Sequence, residues 1–212
     1  MSLGRSRPVC FVRVPLQRGF TMLEVLVALL ILLIGLLGLA GLLVTIQQGE
    51  VDAYQRKQAA VLLQDMIDRI TANPKAAGTS GQCYAFTDPV SGTPALGTNY
   101  TGGFTCITTI PAPATPPQSQ LDRGIADLTA WNNALLGTSE KKGTANVGGI
   151  IDARGCVSHD SVNGVYLISV AWRGLQPTVA PPAAYTCGTG LYTDEKLRRV
   201  ISVSIRIADL KA

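Results

Sequence analysis

The chain begins with one long apolar stretch and continues with segments in which apolar positions recur at regular spacing. Residues 25–49 carry no charge, and the 22 residues Val25–Ile46 are apolar almost throughout. A run of about 20 apolar residues forms a helix that spans the hydrocarbon core of a bilayer. The run exceeds the roughly 7–15 apolar residues of a secretory signal. The sequence therefore predicts a membrane-spanning helix near the amino end.

Two further helical patterns follow this apolar run. Residues 47–72 carry an apolar stripe with the i, i+3, i+4, i+7 spacing of a helix with one buried face. Its members are Ala59, Leu62, Leu63, Met66, Ile67 and Ile70. Asn73-Pro74 should end this helix, because the residue before a proline avoids helical angles. A shorter amphipathic helix is predicted over 121–135.

The second half of the chain contains segments with the two-residue period of β-strands. Val165–Arg173 and residues 201–207 alternate in this way, which predicts half-buried strands of an antiparallel sheet. We predict further strands at Gly149–Val157 and Thr105–Ile110. Together with the helices, these strands predict an α+β fold.

The charge of the chain is concentrated ahead of the apolar run. Residues 1–19 contain four arginines and no acid, and the whole chain has a formal charge of +4. Without these four arginines, 18 − 4 = 14 basic residues balance 14 acidic ones. The basic flank should stay cytoplasmic and direct the rest of the chain across the membrane. The basic character is therefore no sign of nucleic-acid binding, which needs a clustered basic face, and we expect no direct nucleic-acid contact.

One acid, Glu24, lies at the start of the apolar run. A charged side chain at the centre of a bilayer costs about 2.5–3.5 kcal/mol or more, so an acid here needs a positive partner. Cleavage after Gly19 would supply that charge as a new amino terminus on Phe20. The simplest alternative is a plain membrane anchor in which the acid has no special role.

The segment RGFTMLEVLVALLILLIGLLGLAGL, residues 18–42, resembles the amino terminus of type IV prepilins. This resemblance implies that a prepilin peptidase cuts between Gly19 and Phe20 and methylates Phe20. It also implies that Glu24 is the acid that pairs with a new amino terminus during assembly. Gly35, Gly38 and Gly41 lie on one stripe, which indicates either close helix packing or local loosening of the helix.

A second, looser resemblance covers the rest of the chain. The run Asp65-Met66-Ile67-Asp68-Arg69, the helix segment Asp127–Trp131 and the strand segment Val170–Trp172 resemble PilV-type minor pilins. This implies a pilin-like fold, in which the long helix packs on the sheet. It also implies a low-abundance subunit that primes pilus assembly at the inner membrane and stays at or near the tip. Within the run Asp65–Arg69, we expect the side chains of Asp65, Asp68 and Arg69 to point outward.

The implied partners are the prepilin peptidase, the major pilin, other minor pilins (FimU-, PilW- and PilX-like) and a tip adhesin. Adhesion and twitching motility are the implied roles. Two other functions share parts of this pattern. One is a minor pseudopilin of a type II secretion system, and the other is a membrane-anchored periplasmic binding module that never polymerises.

We expect four segments in the chain. They are a cleaved leader (1–19), the membrane-spanning and assembly half of the first helix (20–46), its amphipathic half (47–73) and a periplasmic or extracellular β-rich domain (74–212). Before assembly the protein would lie in the inner membrane as a single-pass protein with its carboxyl end in the periplasm. After assembly it would lie at the pilus tip on the cell surface.

Four of the five cysteines follow the apolar run, and such a set in a translocated domain favours disulfides. Three pairings of Cys83, Cys106, Cys156 and Cys187 are possible. We favour Cys83–Cys106 and Cys156–Cys187, because each closes a local loop. The fifth, Cys10, falls in the leader.

The sequence contains no pattern that predicts catalysis. It has no nucleophile elbow and no glycine-rich phosphate loop. His159-Asp160-Ser161 groups catalytic residue types, but neighbours in a turn do not converge as a triad does. The single histidine and the wide cysteine spacing also argue against zinc. We expect no enzyme activity, no metal and no cofactor.

Overall fold

A computed structural model describes residues 19–78, 83–106 and 116–207. The chain divides into two compact units, Met1–Gln47 and Gln48–Ala212. Helix α1, Met22–Ala72, contributes to both. Its first half is continuous α-helix through Gly35, Gly38 and Gly41, and its apolar side chains are exposed. The helix is therefore neither broken nor unwound at the glycine stripe.

The second half of α1 buries one face in the second unit. Its buried residues are spaced three or four apart, as the apolar stripe predicts. They are Gln55, Ala59, Leu63, Met66 and Ile70. The helix ends at Ala72, and a short helix α2, Pro74–Ala77, begins after Asn73. The predicted end of the helix at Asn73-Pro74 is confirmed.

The rest of the second unit contains one more long helix and six strands among the described residues. Helix α3 spans Gln118–Leu135. The strands are β1 Leu96–Gly97, β2 Lys141–Lys142, β3 Ala145–Asn146, β4 Arg154–Asp160, β5 Val165–Arg173 and β6 Arg198–Arg206. Strands β2 and β3 form a small exposed hairpin. The other four form an antiparallel sheet in the order β1-β4-β5-β6. The long apolar helix, this antiparallel sheet and two disulfides, Cys83–Cys106 and Cys156–Cys187, confirm the predicted α+β pilin-like fold.

One predicted strand has different bounds in the structure, and another lies mostly outside the described residues. The third strand begins at Arg154 rather than at Gly149. Residues 150–153 form a turn in which Asp152 has a φ of 53°, and this left-handed conformation interrupts an extended chain. Residues 107–110 of the predicted strand Thr105–Ile110 lie outside the described residues, and Thr105 and Cys106 are not in a strand.

Both faces of the central strands are covered, which the sequence did not predict. On one face, the even-numbered side chains of β5 from Tyr166 to Trp172 join the core that α1 and α3 cover. On the other face, Ala171 packs with Cys156, Cys187 and Tyr192. The prediction that β5 is half-buried is therefore wrong for its second half. The loop after β5 covers the face that alternation assigned to solvent.

Trp131 of α3 lies at the centre of the core. Its side chain is fully buried, and its Nε1 donates a hydrogen bond to the carbonyl of Leu62 in α1 at 2.8 Å. The indole ring rests on Gly155 of β4, where a Cβ would overlap the ring. Glycine at this position therefore lets the helix approach the sheet.

We expect Gly155→Ala to destabilise the domain by about 1–3 kcal/mol, because the added methyl group overpacks the contact with Trp131. Chemical denaturation of the full chain in detergent, followed by tryptophan fluorescence, measures the change. Gly103→Ala is the matched control, because a Cβ there meets nothing within 4 Å. Equal stability of the two variants would contradict the proposed close contact.

Candidate functional site

The first turn of α1 places Glu24 at the amino end of the helix. The Oγ1 of Thr21 accepts a hydrogen bond from the backbone N–H of Glu24 at 3.3 Å, and the carbonyl of Thr21 accepts from the N–H groups of Glu24 and Val25. Thr21 therefore caps the helix, in the Thr-x-x-Glu pattern of a capping box. The sequence contained this signal, but the role of Thr21 was missed.

The peptide bond between Gly19 and Phe20 lies just outside the helix. Both residues precede the helix and belong to no helix or strand, and Phe20 is 82% exposed. A bond in this position is accessible without unwinding the helix. A cut there would leave the new amino group of Phe20 beside the same helix end as the Glu24 carboxylate. An acid at this end is also favoured by the helix dipole.

The helix that follows is long and apolar enough to cross a membrane. Its most apolar window of 18 residues has a mean hydropathy of 3.0, and none of that window is buried in the structure. The predicted processing site, Gly19 and Phe20, and the predicted pairing acid, Glu24, thus lie together at the amino end of this span.

A polar network in the second unit joins the end of α1 to α3 and to the first disulfide loop. The Asp127 carboxylate accepts hydrogen bonds from the hydroxyl of Tyr84 at 2.6 Å and from the guanidinium of Arg69 at 3.2 Å. Asn73 donates to the Tyr84 hydroxyl at 3.1 Å. Burial, together with the hydrogen bond to Asp127, raises the pKa of Tyr84 well above its ordinary value. These contacts hold together segments that are far apart in the sequence.

The network corrects the expected orientation of one residue of the Asp-Met-Ile-Asp-Arg run. Asp68 is exposed, as expected, but Arg69 turns inward, and only 27% of its side chain is exposed. Its guanidinium bridges the carboxylates of Asp65 at 3.0 Å and Asp127 at 3.2 Å. The run is therefore more than a solvated helix face, because Arg69 connects α1 with α3.

Asp127→Ala is expected to lower the free energy of unfolding by about 2–3 kcal/mol, because the half-buried Arg69 and the Tyr84 hydroxyl lose their shared acceptor. Asp127→Asn should cost less, since its amide oxygen still accepts from Tyr84. Thermal and chemical unfolding of the full chain in detergent measure both changes. The exposed Asp68→Ala is the control, and a loss as large as that of Asp127→Ala would contradict the role of the network.

Two disulfides close loops in the second unit. Cys83 pairs with Cys106, and Cys156 pairs with Cys187, with Cα atoms 4.3 and 5.8 Å apart. This is the pairing that local loop closure favoured. Arg198 supports the second loop, since it is buried and donates to Glu195 at 2.6 Å and to the carbonyls of Tyr185 and Cys187. No local pattern in the sequence indicated this use of an arginine.

The group of catalytic residue types, His159-Asp160-Ser161, lies at the end of β4 and in the turn that follows. His159 packs against Tyr166 with ring centroids 4.5 Å apart, and burial lowers its pKa. The Asp160 carboxylate accepts hydrogen bonds from the backbone N–H groups of Val162 and Asn163 within its own turn. Within residues 19–78, 83–106 and 116–207, no group of three or more His, Cys, Asp or Glu residues could hold a metal ion.

Residues 15–40 match the family model described as the prokaryotic N-terminal methylation motif. The match covers the capped first turn, the Gly19–Phe20 bond and part of the apolar helix. Searches of curated proteins and of solved structures find no match for this chain. The motif supports a type IV pilin-like protein, of the pilin or pseudopilin type. With the long apolar helix, it also suits anchoring in a membrane.

Proposed function

We propose that this chain is a PilV-type minor pilin that primes type IV pilus assembly at the inner membrane and remains at or near the pilus tip. The observation that carries the proposal is the position of Glu24. It lies in the capped first turn of α1, four residues after the exposed Phe20 and directly before the uncharged, membrane-length stretch of that helix. A plain anchor has no need for an acid at this position.

In this proposal, the prepilin peptidase removes residues 1–19 and methylates the amino group of Phe20. The Glu24 carboxylate then neutralises that amino group, either in its own chain or in a neighbouring subunit. The pairing lets both charges enter an apolar bundle of helices, where each alone would be costly. The apolar side chains of the first half of α1 are exposed, so they can pack against other helices.

The second unit would then form contacts between subunits rather than perform chemistry. The proposed partners are the major pilin, FimU-, PilW- and PilX-like minor pilins and a tip adhesin. Support for adhesion and twitching motility is the proposed outcome. The Asp-Met-Ile-Asp-Arg run and the Asp127–Trp131 segment, on which the resemblance to PilV-type subunits rests, meet in the network of Arg69 and Asp127.

The intact mass and the amino-terminal peptide of the protein from its native membrane test this proposal. An N-methylated Phe20 at the amino terminus is the expected result. An intact Met1 end, or a cut beyond Ala40, would overturn the pilin function. Recovery of the processed protein in sheared pili then tests whether the protein is incorporated into the pilus.

The same motif also serves pseudopilins of type II secretion systems. A deletion that abolishes secretion and leaves piliation intact would assign the protein to that class. Processed protein that is found in membranes, but never in filaments of either kind, would indicate an anchored module that does not polymerise.

A further inference from the structure

Strand β6 forms one edge of the four-stranded sheet, and the hydrogen-bond pattern shows which of its peptide groups face outward. Gly174 donates to the carbonyl of Leu197 at 2.8 Å, and these two residues continue the pairing register of β5 with β6. Alternate residues of an antiparallel strand bond to the same neighbour. Odd-numbered residues of β6 therefore bond to β5, and the N–H and C=O groups of Val200, Ser202 and Ser204 point away from the sheet.

These outward groups have no hydrogen-bond partner among the described residues. The loop after β5 covers the edge only at its beginning, where Thr178 donates to the carbonyl of Lys196 at 2.9 Å. Beyond that point the edge is long and rich in β-branched residues, without the proline or bulge that often protects such strands. A row of groups with this spacing pairs with one kind of ligand, an extended polypeptide.

A groove lies beside this edge. It has a volume of about 390 Å³ and is lined by both the loop and the strand. The loop contributes Val179, Pro181, Pro182 and Tyr185 to its lining, and the strand contributes residues 198–202. Alternate side chains of an added strand would point toward the sheet face on which Val200 and Ser202 lie. The apolar residues of the loop can therefore receive an apolar side chain of that strand.

The charge of the edge selects among possible strands. Strand β6 contains three arginines and no acid. Arg198 pairs with Glu195 at 2.6 Å, but Arg199 and Arg206 form no ion pair within the described part of the chain. Two copies of β6 paired edge to edge would bring the Arg199 and Arg206 side chains of both copies into one strand pair that contains no acid, and like charges brought together destabilise such a pair. The edge therefore favours an acidic strand over a second copy of itself.

We propose that the outer edge of β6, together with the groove beside it, binds an extended acidic strand of another polypeptide, which joins the sheet as a fifth strand. The proposal rests on the proposed function only for the source of this strand, which would be another subunit of the same assembly.

Photo-crosslinking of the full chain in its native host tests the proposal. The crosslinking amino acid replaces Val179, which is 92% exposed at the groove, and Val147 in the exposed hairpin serves as the control position. Peptide mapping of the Val179 product should identify a segment of a different polypeptide that contains Asp or Glu and alternates in the manner of a strand. Products with a second copy, with this chain itself or with lipid, or no product, would overturn the proposal.

Variants of the edge make the test specific for strand addition. Ser204→Pro removes an outward N–H that does not serve the pairing with β5, whereas Ser204→Ala keeps it. We expect Ser204→Pro to lower the crosslink yield by about fivefold or more and Ser204→Ala to leave it unchanged. Arg206→Glu should also lower the yield, and Arg173→Glu, an exposed change on the neighbouring strand, should not. If neither Ser204→Pro nor Arg206→Glu changes the crosslink yield, the proposal is overturned.

The amount of protein in sheared pili, measured in the same cells, reports on the proposed function separately. A strand crosslink in membranes without incorporation into pili would keep the edge proposal and reject the pilus. Incorporation into pili without the crosslink would reject the edge proposal and keep the pilus function. Thermal unfolding of Ser204→Pro and Arg206→Glu confirms that each variant is folded.

Discussion

Glu24→Ala is expected to leave cleavage after Gly19 intact and to lower the amount of this protein in sheared pili by at least about tenfold. The reason is that the Phe20 amino group would enter the apolar bundle without a partner. A single charge in hydrocarbon costs about 2.5–3.5 kcal/mol, and each 1.4 kcal/mol corresponds to a factor of about ten. The measurement compares the amount of processed protein in membranes with that in filaments.

Glu50→Ala is the matched control for this substitution. Glu50 is an exposed acid of the same helix, but it lies beyond the apolar run. Its removal should change neither cleavage nor incorporation. Normal incorporation of Glu24→Ala would remove charge pairing from the proposed mechanism. A failure of cleavage would instead assign Glu24 to recognition by the peptidase.

Removal of the second disulfide, by Cys156→Ser with Cys187→Ser, is expected to destabilise the second unit by about 3–4 kcal/mol. The two cysteines are 31 residues apart, so the bridge restricts a long loop in the unfolded chain. The loop also covers one face of the sheet, where Cys187 packs with Ala171 and Tyr192. Its release would expose that face to water.

Tryptophan fluorescence during chemical denaturation of the full chain in detergent measures this loss, because Trp131 and Trp172 are both buried in the second unit. The matched control is Cys10→Ser, which changes a cysteine of the predicted leader and should leave the stability unchanged. An unfolding midpoint equal to that of the control would show that the bridge does not stabilise the domain.

The features that were predicted correctly depend on neighbours in the sequence. Helix α1 ends where Asn73-Pro74 forbids its continuation, and β5 spans Val165–Arg173, as its alternation predicts. The methylation motif around Gly19 and Phe20 and the apolar run are likewise local features of the sequence, while the roles of Gly19, Phe20 and Glu24 stay predictions. The Thr-x-x-Glu pattern at Thr21 is equally local, but its capping role was missed.

Two of the errors concern contacts between distant segments. Arg69 was expected to face solvent, but its partner Asp127 is 58 residues away. The second half of β5 was expected to be open on one face, but the loop that covers it returns through a disulfide from Cys187 to Cys156. No spacing rule within a segment reveals which other segment will cover it.

The sequence by itself determined the membrane-length helix, the acid at its start, the motif around Gly19 and Phe20 and the α+β class. Each of these follows from the periodicity or the order of neighbouring residues. Only the tertiary structure decided that Arg69 turns inward, that the second half of β5 is covered on both faces and that the outer edge of β6 stays open among the described residues. These properties depend on which distant groups meet, because burial and hydrogen bonding are decided by the whole fold rather than by one segment.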